Sequence, residues 1–336
     1  MKIRENVPIS TLTTMRLGGE ARYVVEIEAP EDVNPAYDLS QEKALPVFVL
    51  GGGANTLGRD EGYDGMIFLN KLRGIEAREE GDDLILTGMG GENWDDIVAY
   101  ACERGYTGIE ALSAIPGTLG AAPVQNIGAY GQELADTFVS LQVFDRETET
   151  VKEFTREECD FGYRRSIFNT SKRGQYFIMS VTLRLHKGEM TGPLYNSLQT
   201  YLDEHAIAAR DPQTIREAVT AVRAEKLPDP ATTPSAGSFF KNVYLSKGEA
   251  EVAAAKGIPV YTNGEENKVN AGWLIEQAGL KGQLLHGIRV NEKAALVLIN
   301  ESASKFADLA AARTEIRQAV LEKFGYDLTQ EPVEIV

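Results

Sequence analysis

Cysteine is scarce: Cys102 and Cys159 are the only two in 336 residues. Such a pair, one in a helical pattern and one in a charged segment, excludes a disulfide framework or a cysteine-built metal site, and points to free thiols in a reducing compartment. Positive charge is short as well, with 34 lysines and arginines against 50 acidic residues and a net charge of −16. That balance repels phosphate backbones and anionic bilayers unless a local basic cleft overrides it, so nucleic-acid binding is not expected. Apolar runs of membrane-spanning length are missing, and the first ten residues, MKIRENVPIS, lack the apolar stretch of a secretory signal. No membrane insertion and a cytoplasmic home are expected.

What is present is ordinary globular material, 43% hydrophobic and long enough for two or three cores. The first 190 residues alternate β-rich runs (YVVEI, PVFVLG, GMIFLN, DLILTGMG, VSLQVFD, FIMSVTLRL) with glycine-rich turns and show one convincing helix, opened by Asn93 as its cap. In YFIMSVTLRL, Phe177, Met179, Val181, Leu183 and Leu185 fall on one face, the pattern of a half-buried strand. The three prolines of KLPDPATTP stop regular structure, and a domain border is expected upstream, near residue 206. Beyond it come a helix at AGWLIEQAGL, a strand at AALVLIN, and a long helix lined by Leu309, Ala312, Ile316, Val320 and Phe324 that stops at Gly325. The pattern is α+β.

Two stretches call for a ligand. PVFVLGGGANTLGRD runs a strand into three glycines, where exposed N–H groups can approach a pyrophosphate. It is no Rossmann fingerprint, because Thr56 stands where the third glycine belongs and Gly58, Gly62 and Gly65 break any following helix. A plain hairpin-type turn is the alternative. The second stretch, IEALSAIPGTLGAAPVQNIGAYGQEL, spends 26 residues almost without charge. Its irregular backbone needs hydrogen-bond partners, which a large, flat, partly polar ligand would supply.

The blocks LGGGANTL, GENW, AIPGTLGAAPVQNIGAYG, FGYRRSIF, KLPDP, AGSFFKN, AGWLIEQAGLKG and ALVLIN, in that order over nearly the whole chain, resemble the UDP-N-acetylenolpyruvoylglucosamine reductase family of peptidoglycan synthesis. The resemblance implies a vanillyl-alcohol-oxidase-type FAD-binding domain in two parts, residues 1–70 and 71–205, a substrate-binding domain at 206–325, and a tail at 326–336 returning to the active site. It implies FAD as cofactor, NADPH as co-substrate and UDP-N-acetylglucosamine enolpyruvate as substrate, hydride passing from flavin N5 to C3. A monomer is expected. FAD should be non-covalent, since His186, His205 and His286 all lie outside both loops. Gly51, Gly52, Gly53, Ala54 and Asn55 are the implied pyrophosphate cradle; Pro116, Gly117, Asn126, Gly128, Ala129 and Tyr130 are implied to run along the flavin. GPLYNSL, with Tyr195, resembles the mobile aromatic loop of one branch of the family.

Hydride addition to an acceptor that already bears a carboxylate makes a dianion, and the motif-matched Arg164 offers a planar, permanently charged fork to stabilise it. Glu331 matches the family's catalytic glutamate and must be protonated to help, with Glu334 as the fallback. Ser238 matches the proton donor to C2, with Gly237 permitting the turn and Phe239 and Phe240 excluding water. Core packing with a satisfied hydroxyl is the bland alternative for that stretch. Tyr163, Tyr195, Lys226, Lys241, Asn242 and Lys268 are candidate substrate contacts, set against packing for the tyrosines and solvation for Lys241 and Lys268. Val243, Ala294 and Gln330 depart from the family pattern; Gln330 is expected to loosen the register of the tail. Two rival functions are another flavin oxidoreductase on the same fold and a non-catalytic flavin-binding module.

Overall fold

The computed structural model describes residues 1–192, 194–263 and 266–336. They form two compact units, one made of Met1–Val7, Ala21–Gly52 and Asp64–Glu225, the other of Pro8–Glu20, Gly53–Tyr63 and Lys226–Val336. The border expected near 206 therefore moves to 225/226, for a physical reason. Helices Asn196–Glu204 and Pro212–Lys226 share a core of Leu198, Leu202, Ile215, Ala218 and Val219 with Ala111 and Met190, all within the first unit.

The first unit contains a four-stranded sheet in the order Lys2–Pro8, Glu20–Ile27, Tyr63–Asn70, Val47–Leu50, backed by helix Val33–Glu42. That helix escapes the sequence reading because Pro35 sits in its first turn, where proline is tolerated. Val47–Leu50 pairs in parallel with Met66–Leu69. A parallel pair needs a crossover, so the glycine-rich connection is not a hairpin turn.

A larger antiparallel sheet follows, in the order Thr150–Thr155, Phe138–Asp145, Tyr176–Lys187, Asp83–Met89, Ile75–Glu80. Helix Trp94–Cys102 packs on it, and Asn93 caps that helix by accepting from the N–H groups of Asp95 and Asp96 at 2.8 and 3.3 Å. Strand Tyr176–Lys187 does not present one apolar face. Phe177 and Met179 join the core beneath helix Val33–Glu42, whereas Ile178, Val181, Leu183 and Leu185 join the core around Trp94. The register slips between Gln142↔Ser180 and Val143↔Ile178, and a one-residue slip exchanges the two faces.

The second unit holds the sheet Ser235–Ser238, Val297–Asn300, Ile288–Val290, Leu284–Leu285 and a smaller sheet, Val243–Leu245, Glu266–Val269, Tyr261–Asn263. Helix Phe306–Phe324 buries Leu309, Ala312, Ile316 and Val320 and ends at Gly325 with φ 80°. Asp60 caps its start across 246 residues of chain, accepting from Phe306 N–H at 2.6 Å and Ala307 N–H at 2.9 Å. The last residues are integral to this unit: Leu328 is core, Ile335 is fully buried, and Val333–Glu334 pairs in parallel with Thr56–Leu57.

Candidate functional site

In the first unit the two ligand-seeking loops lie against each other. A Cβ added to Gly51 would stand 2.6 Å from Thr118 Oγ1, and one on Gly52 would stand 2.9 Å from the Gly117 Cα, so glycine is required by close approach. The border between units falls between Gly52 and Gly53, which places Gly53, Ala54 and Asn55 in the second unit. There Gly53, at φ +67°, has its Cβ position 2.1 Å from the Leu12 carbonyl oxygen.

The long loop is less dependent on a ligand than its sequence implies. Leu119–Gln125 is a 3-10 helix, and the segment Gly90–Trp94 takes up much of the adjoining backbone: Leu119 N–H donates to Glu92 C=O, Gly120 N–H to Gly90 C=O, and Trp94 N–H to Gly117 C=O. The Thr118 hydroxyl, by contrast, is buried without a hydrogen-bond partner among the described residues. A glycine cradle beside an unsatisfied buried hydroxyl fits the phosphate and sugar oxygens of a dinucleotide such as FAD.

Asn126 holds the loop's shape. At φ 46° it donates from Nδ2 to Glu133 Oε2 (2.7 Å) and to the Gly162 carbonyl (3.3 Å), and accepts at Oδ1 from Ala135 N–H (3.0 Å). Its polar atoms are thus engaged inside the protein. The pair Gly128–Ala129 and Gln132–Glu133 forms a tight hairpin whose turn residues, Tyr130 at φ 49° and Gly131 at φ 91°, are both left-handed. Pro116 precedes Gly117, whose φ of 135° again requires glycine.

Arg164 stands at the tip of a second tight turn, closed by mutual backbone hydrogen bonds of 3.0 Å between Gly162 and Arg165. Its φ of 52° is one an arginine adopts at a cost of about 1–2 kcal/mol. The turn is held by Asn169, which donates from Nδ2 to the Arg164 carbonyl at 3.0 Å. The Arg164 guanidinium donates to the Gly128 carbonyl at 2.9 Å and sits over the Tyr163 ring, 5.2 Å from its centroid. Left-handed residues that are not glycine mark constrained sites, and Asn126, Tyr130 and Arg164 all belong to this group.

Tyr195, 48% exposed, precedes helix Asn196–Glu204 and packs edge-on against Tyr130 with ring centroids 5.9 Å apart. Pro193, within the GPLYNSL segment, lies outside the described residues.

In the second unit Ser238 is the half-buried last residue of strand Ser235–Ser238. Phe239 and Phe240 beyond it are fully buried and stacked edge-to-face at 5.1 Å. The chain is gripped from both sides: Phe239 N–H donates to the Leu296 carbonyl at 2.9 Å, Glu331 N–H to the Phe239 carbonyl at 2.9 Å, and Lys241 N–H to the Thr329 carbonyl at 2.8 Å. Ser238 and Glu331 are thereby brought together. Gln330, expected to loosen the tail, fastens it, with its backbone bridged to Phe240 and its side chain accepting from Arg313 (2.5 Å) and donating to the Pro332 carbonyl (2.7 Å).

Glu334 is unsuited to be the fallback acid. Burial opposes its ionisation, but hydrogen bonds from Arg313 at 2.7 Å and Arg59 at 2.6 Å outweigh that and hold its carboxyl below the usual range. Among the other candidates, Asn242 Oδ1 accepts from the Ala271 N–H at 3.1 Å, so it braces a helix start. Lys226 is exposed. Lys268 is half-buried between its cross-strand neighbours Tyr244 and Tyr261. Val243 occupies its strand next to Lys241 and Asn242, and the Ala294 carbonyl accepts from Val297 N–H at 2.9 Å in a turn.

Sequence reasoning missed two residues, Thr118 and Arg223, that carry buried polar atoms unpartnered among the described residues. Thr118 adjoins the quoted Gly117, whereas nothing in the sequence separates Arg223 from any other helical arginine. Among the described residues no group of His, Cys, Asp and Glu could hold a metal ion, and no helix is long and apolar enough to cross a membrane.

Comparison with known proteins bears on both units. Residues 21–155 match an FAD-binding-domain family, and residues 229–335 match the C-terminal domain of UDP-N-acetylenolpyruvoylglucosamine reductase. The chain is 39% identical to the UDP-N-acetylenolpyruvoylglucosamine reductase of Dechloromonas aromatica, covering 98% of each chain, and 37% identical to that of Pseudomonas aeruginosa, covering 99% of this chain and 98% of the relative. The crystal structure of the Thermus caldophilus UDP-N-acetylenolpyruvylglucosamine reductase shares the fold, with a TM-score of 0.66 at 23% identity over 99% of this chain and 100% of that one. The expected architecture, an α+β FAD-binding domain joined to a separate α+β domain, agrees with these matches.

Proposed function

The chain belongs to the UDP-N-acetylenolpyruvoylglucosamine reductase family, and from that premise we propose that it is an FAD-dependent oxidoreductase that reduces the enolpyruvyl ether of UDP-N-acetylglucosamine enolpyruvate to UDP-N-acetylmuramate, with NADPH as reductant, in peptidoglycan precursor synthesis. Bound FAD supplies the two-electron chemistry that carries hydride from the nicotinamide to the substrate.

The rest is the work of this chain's residues. Gly51, Gly52, Gly53, Ala54, Asn55 and the Pro116–Gly117 turn form a backbone cradle for FAD, with the Thr118 hydroxyl as a further donor. Arg164, with its guanidinium fixed by the Gly128 carbonyl, offers a permanent positive charge to the carboxylate as negative charge builds on it. Glu331 donates a hydrogen bond to the same group, which requires it to be protonated, since an ionised carboxylate would repel a forming dianion. Ser238 delivers the proton to C2 from one face, and the buried Phe239–Phe240 pair anchors the strand that carries it. Tyr163, Tyr195, Lys226 and Lys268 supply phenol and ammonium donors for the diphosphate. The enzyme works as a soluble cytoplasmic monomer.

The observation that supports this reading is the backbone pairing of 239–241 with 329–331, which sets Glu331 opposite the residue that follows Ser238. The test is anaerobic. The purified protein should be yellow, NADPH should bleach it, and UDP-N-acetylglucosamine enolpyruvate should restore the colour. Bleaching by NADPH with no recolouring by that substrate would refute the reading in favour of another flavin enzyme, and no bleaching in favour of a binding module.

A further inference from the structure

The first unit contains two neighbouring arginines on one helix, Pro212–Lys226, with unequal partners. Arg216 donates from both terminal nitrogens to Asp95, at 2.6 and 2.8 Å, and Asp95 also accepts from the Ala114 N–H at 2.6 Å. That carboxylate is saturated. Arg223, two helical turns on, is half-buried, its Nε is wholly buried with no hydrogen-bond partner, and no carboxylate lies within ion-pair distance among the described residues. Its polar neighbour is the phenol of Tyr130. Burial pushes its guanidinium below its ordinary value, while Tyr130 and the more distant charge of Asp95 oppose that without cancelling it.

A buried cation without an anion costs several kcal/mol unless something pairs with it. Tyr130, which reaches toward it, is held in a left-handed conformation and touches Tyr195 edge-on. The fold therefore meets two costs, a strained tyrosine and an uncompensated arginine, at one place in a chain whose net charge of −16 otherwise repels anions. Resting on the function proposed above, we propose that Arg223, with the Tyr130 hydroxyl beside it, is a receptor for an anionic phosphoryl oxygen of a bound nucleoside diphosphate. The planar fork of arginine suits such an oxygen. Two ligands of this enzyme class carry that chemistry, the pyrophosphate of FAD and the diphosphate of the UDP-sugar.

The test uses the holoenzyme and Arg223→Met, Arg223→Lys and Tyr130→Phe. FAD release is followed by the rise of free-flavin fluorescence on dilution, and UDP binding to the holoenzyme by calorimetry. Arg223→Met should weaken one of the two ligands by about 10- to 100-fold, the effect expected from losing a charge-assisted hydrogen bond, and Arg223→Lys should recover part of it. Weakened FAD identifies the cofactor as the source; weakened UDP identifies the substrate. If UDP is the ligand, Arg223 is unpaired in the UDP-free holoenzyme and its replacement should leave the melting temperature equal or raised, whereas a structural arginine would lower it. Unchanged affinity for both ligands overturns the proposal. Should Arg223→Met not fold, Tyr130→Phe decides, with a loss of about 3-fold or more for the same ligand supporting the proposal and no loss overturning it. The UDP arm needs no turnover, so its failure leaves the reductase reading standing.

Discussion

Glu331 donates its backbone N–H to the carbonyl of Phe239 at 2.9 Å. Residues 92 positions apart are thus locked in register, and because Phe239 also donates to Leu296, the serine preceding it cannot drift without breaking a hydrogen bond. A hydroxyl is a weak acid, so its usefulness as a donor depends on such placement.

Ser238→Ala is therefore expected to separate the half-reactions. NADPH should still bleach the flavin at the wild-type rate, while recolouring by the enolpyruvyl substrate slows about 10²- to 10⁴-fold, the range for loss of a positioned proton donor. Stopped-flow absorbance measures both. Equal slowing of the two half-reactions would remove Ser238 from its role.

Gly237 sits at φ +66°, and a Cβ added to it meets nothing within 4 Å among the described residues. Conformation, not space, selects glycine here. Gly237→Ala should cost about 1–2 kcal/mol of stability from the left-handed backbone alone, without a clash. Because relief of that strain would turn Ser238, recolouring should slow by more than bleaching. Denaturant unfolding and stopped-flow together check the pair of effects.

Much of this was legible because local pattern and tertiary role agreed. Asn93 reads as a cap and is one; the buried side of helix Phe306–Phe324 is the side its spacing predicts. Where distant partners decide, the sequence is silent. The cap of that last helix is Asp60, the face exchange along Tyr176–Lys187 depends on a bulge opposite Gln142 and Val143, and the chain from Pro212 to Glu225 belongs to the first unit through its packing with Leu198 and Leu202. The same holds in the site. Nothing local reveals that Asn126 spends its amide inside the protein, that Gln330 binds Arg313, or that Arg223 Nε is buried without a hydrogen-bond partner among the described residues.

Cys102 and Cys159 are 2% and 0% exposed, and burial pushes both thiols up to about 12. At pH 8 the native protein should react with a disulfide reagent about 10³-fold or more slowly than the same protein in guanidinium, where the thiols regain their ordinary acidity. Absorbance of the released thiolate gives both rates. A fast native phase would place one thiol at an accessible surface.

The two acidic residues near the C-terminus should part company when each is made neutral. Glu334, paired with Arg59 and Arg313, has a folded-state carboxyl held below its unfolded value. Its contribution to stability is then fully present above the ordinary carboxylate pKa of about 4.3 and is lost as the pH falls through the depressed folded value. Glu334→Gln should lower stability at pH 7 by about 1 kcal/mol, a modest figure because Arg59 is largely exposed, and should flatten the acid limb of stability against pH. Its recolouring rate should stay within about threefold of wild type, since the ion pairs place it in support of the tail and not in the reaction. Glu331→Gln should do the reverse, leaving the acid limb intact while slowing recolouring about 10²-fold or more. If Glu334→Gln were the variant that stopped the reaction with its fold unharmed, the assignment of the catalytic carboxyl to Glu331 would be wrong.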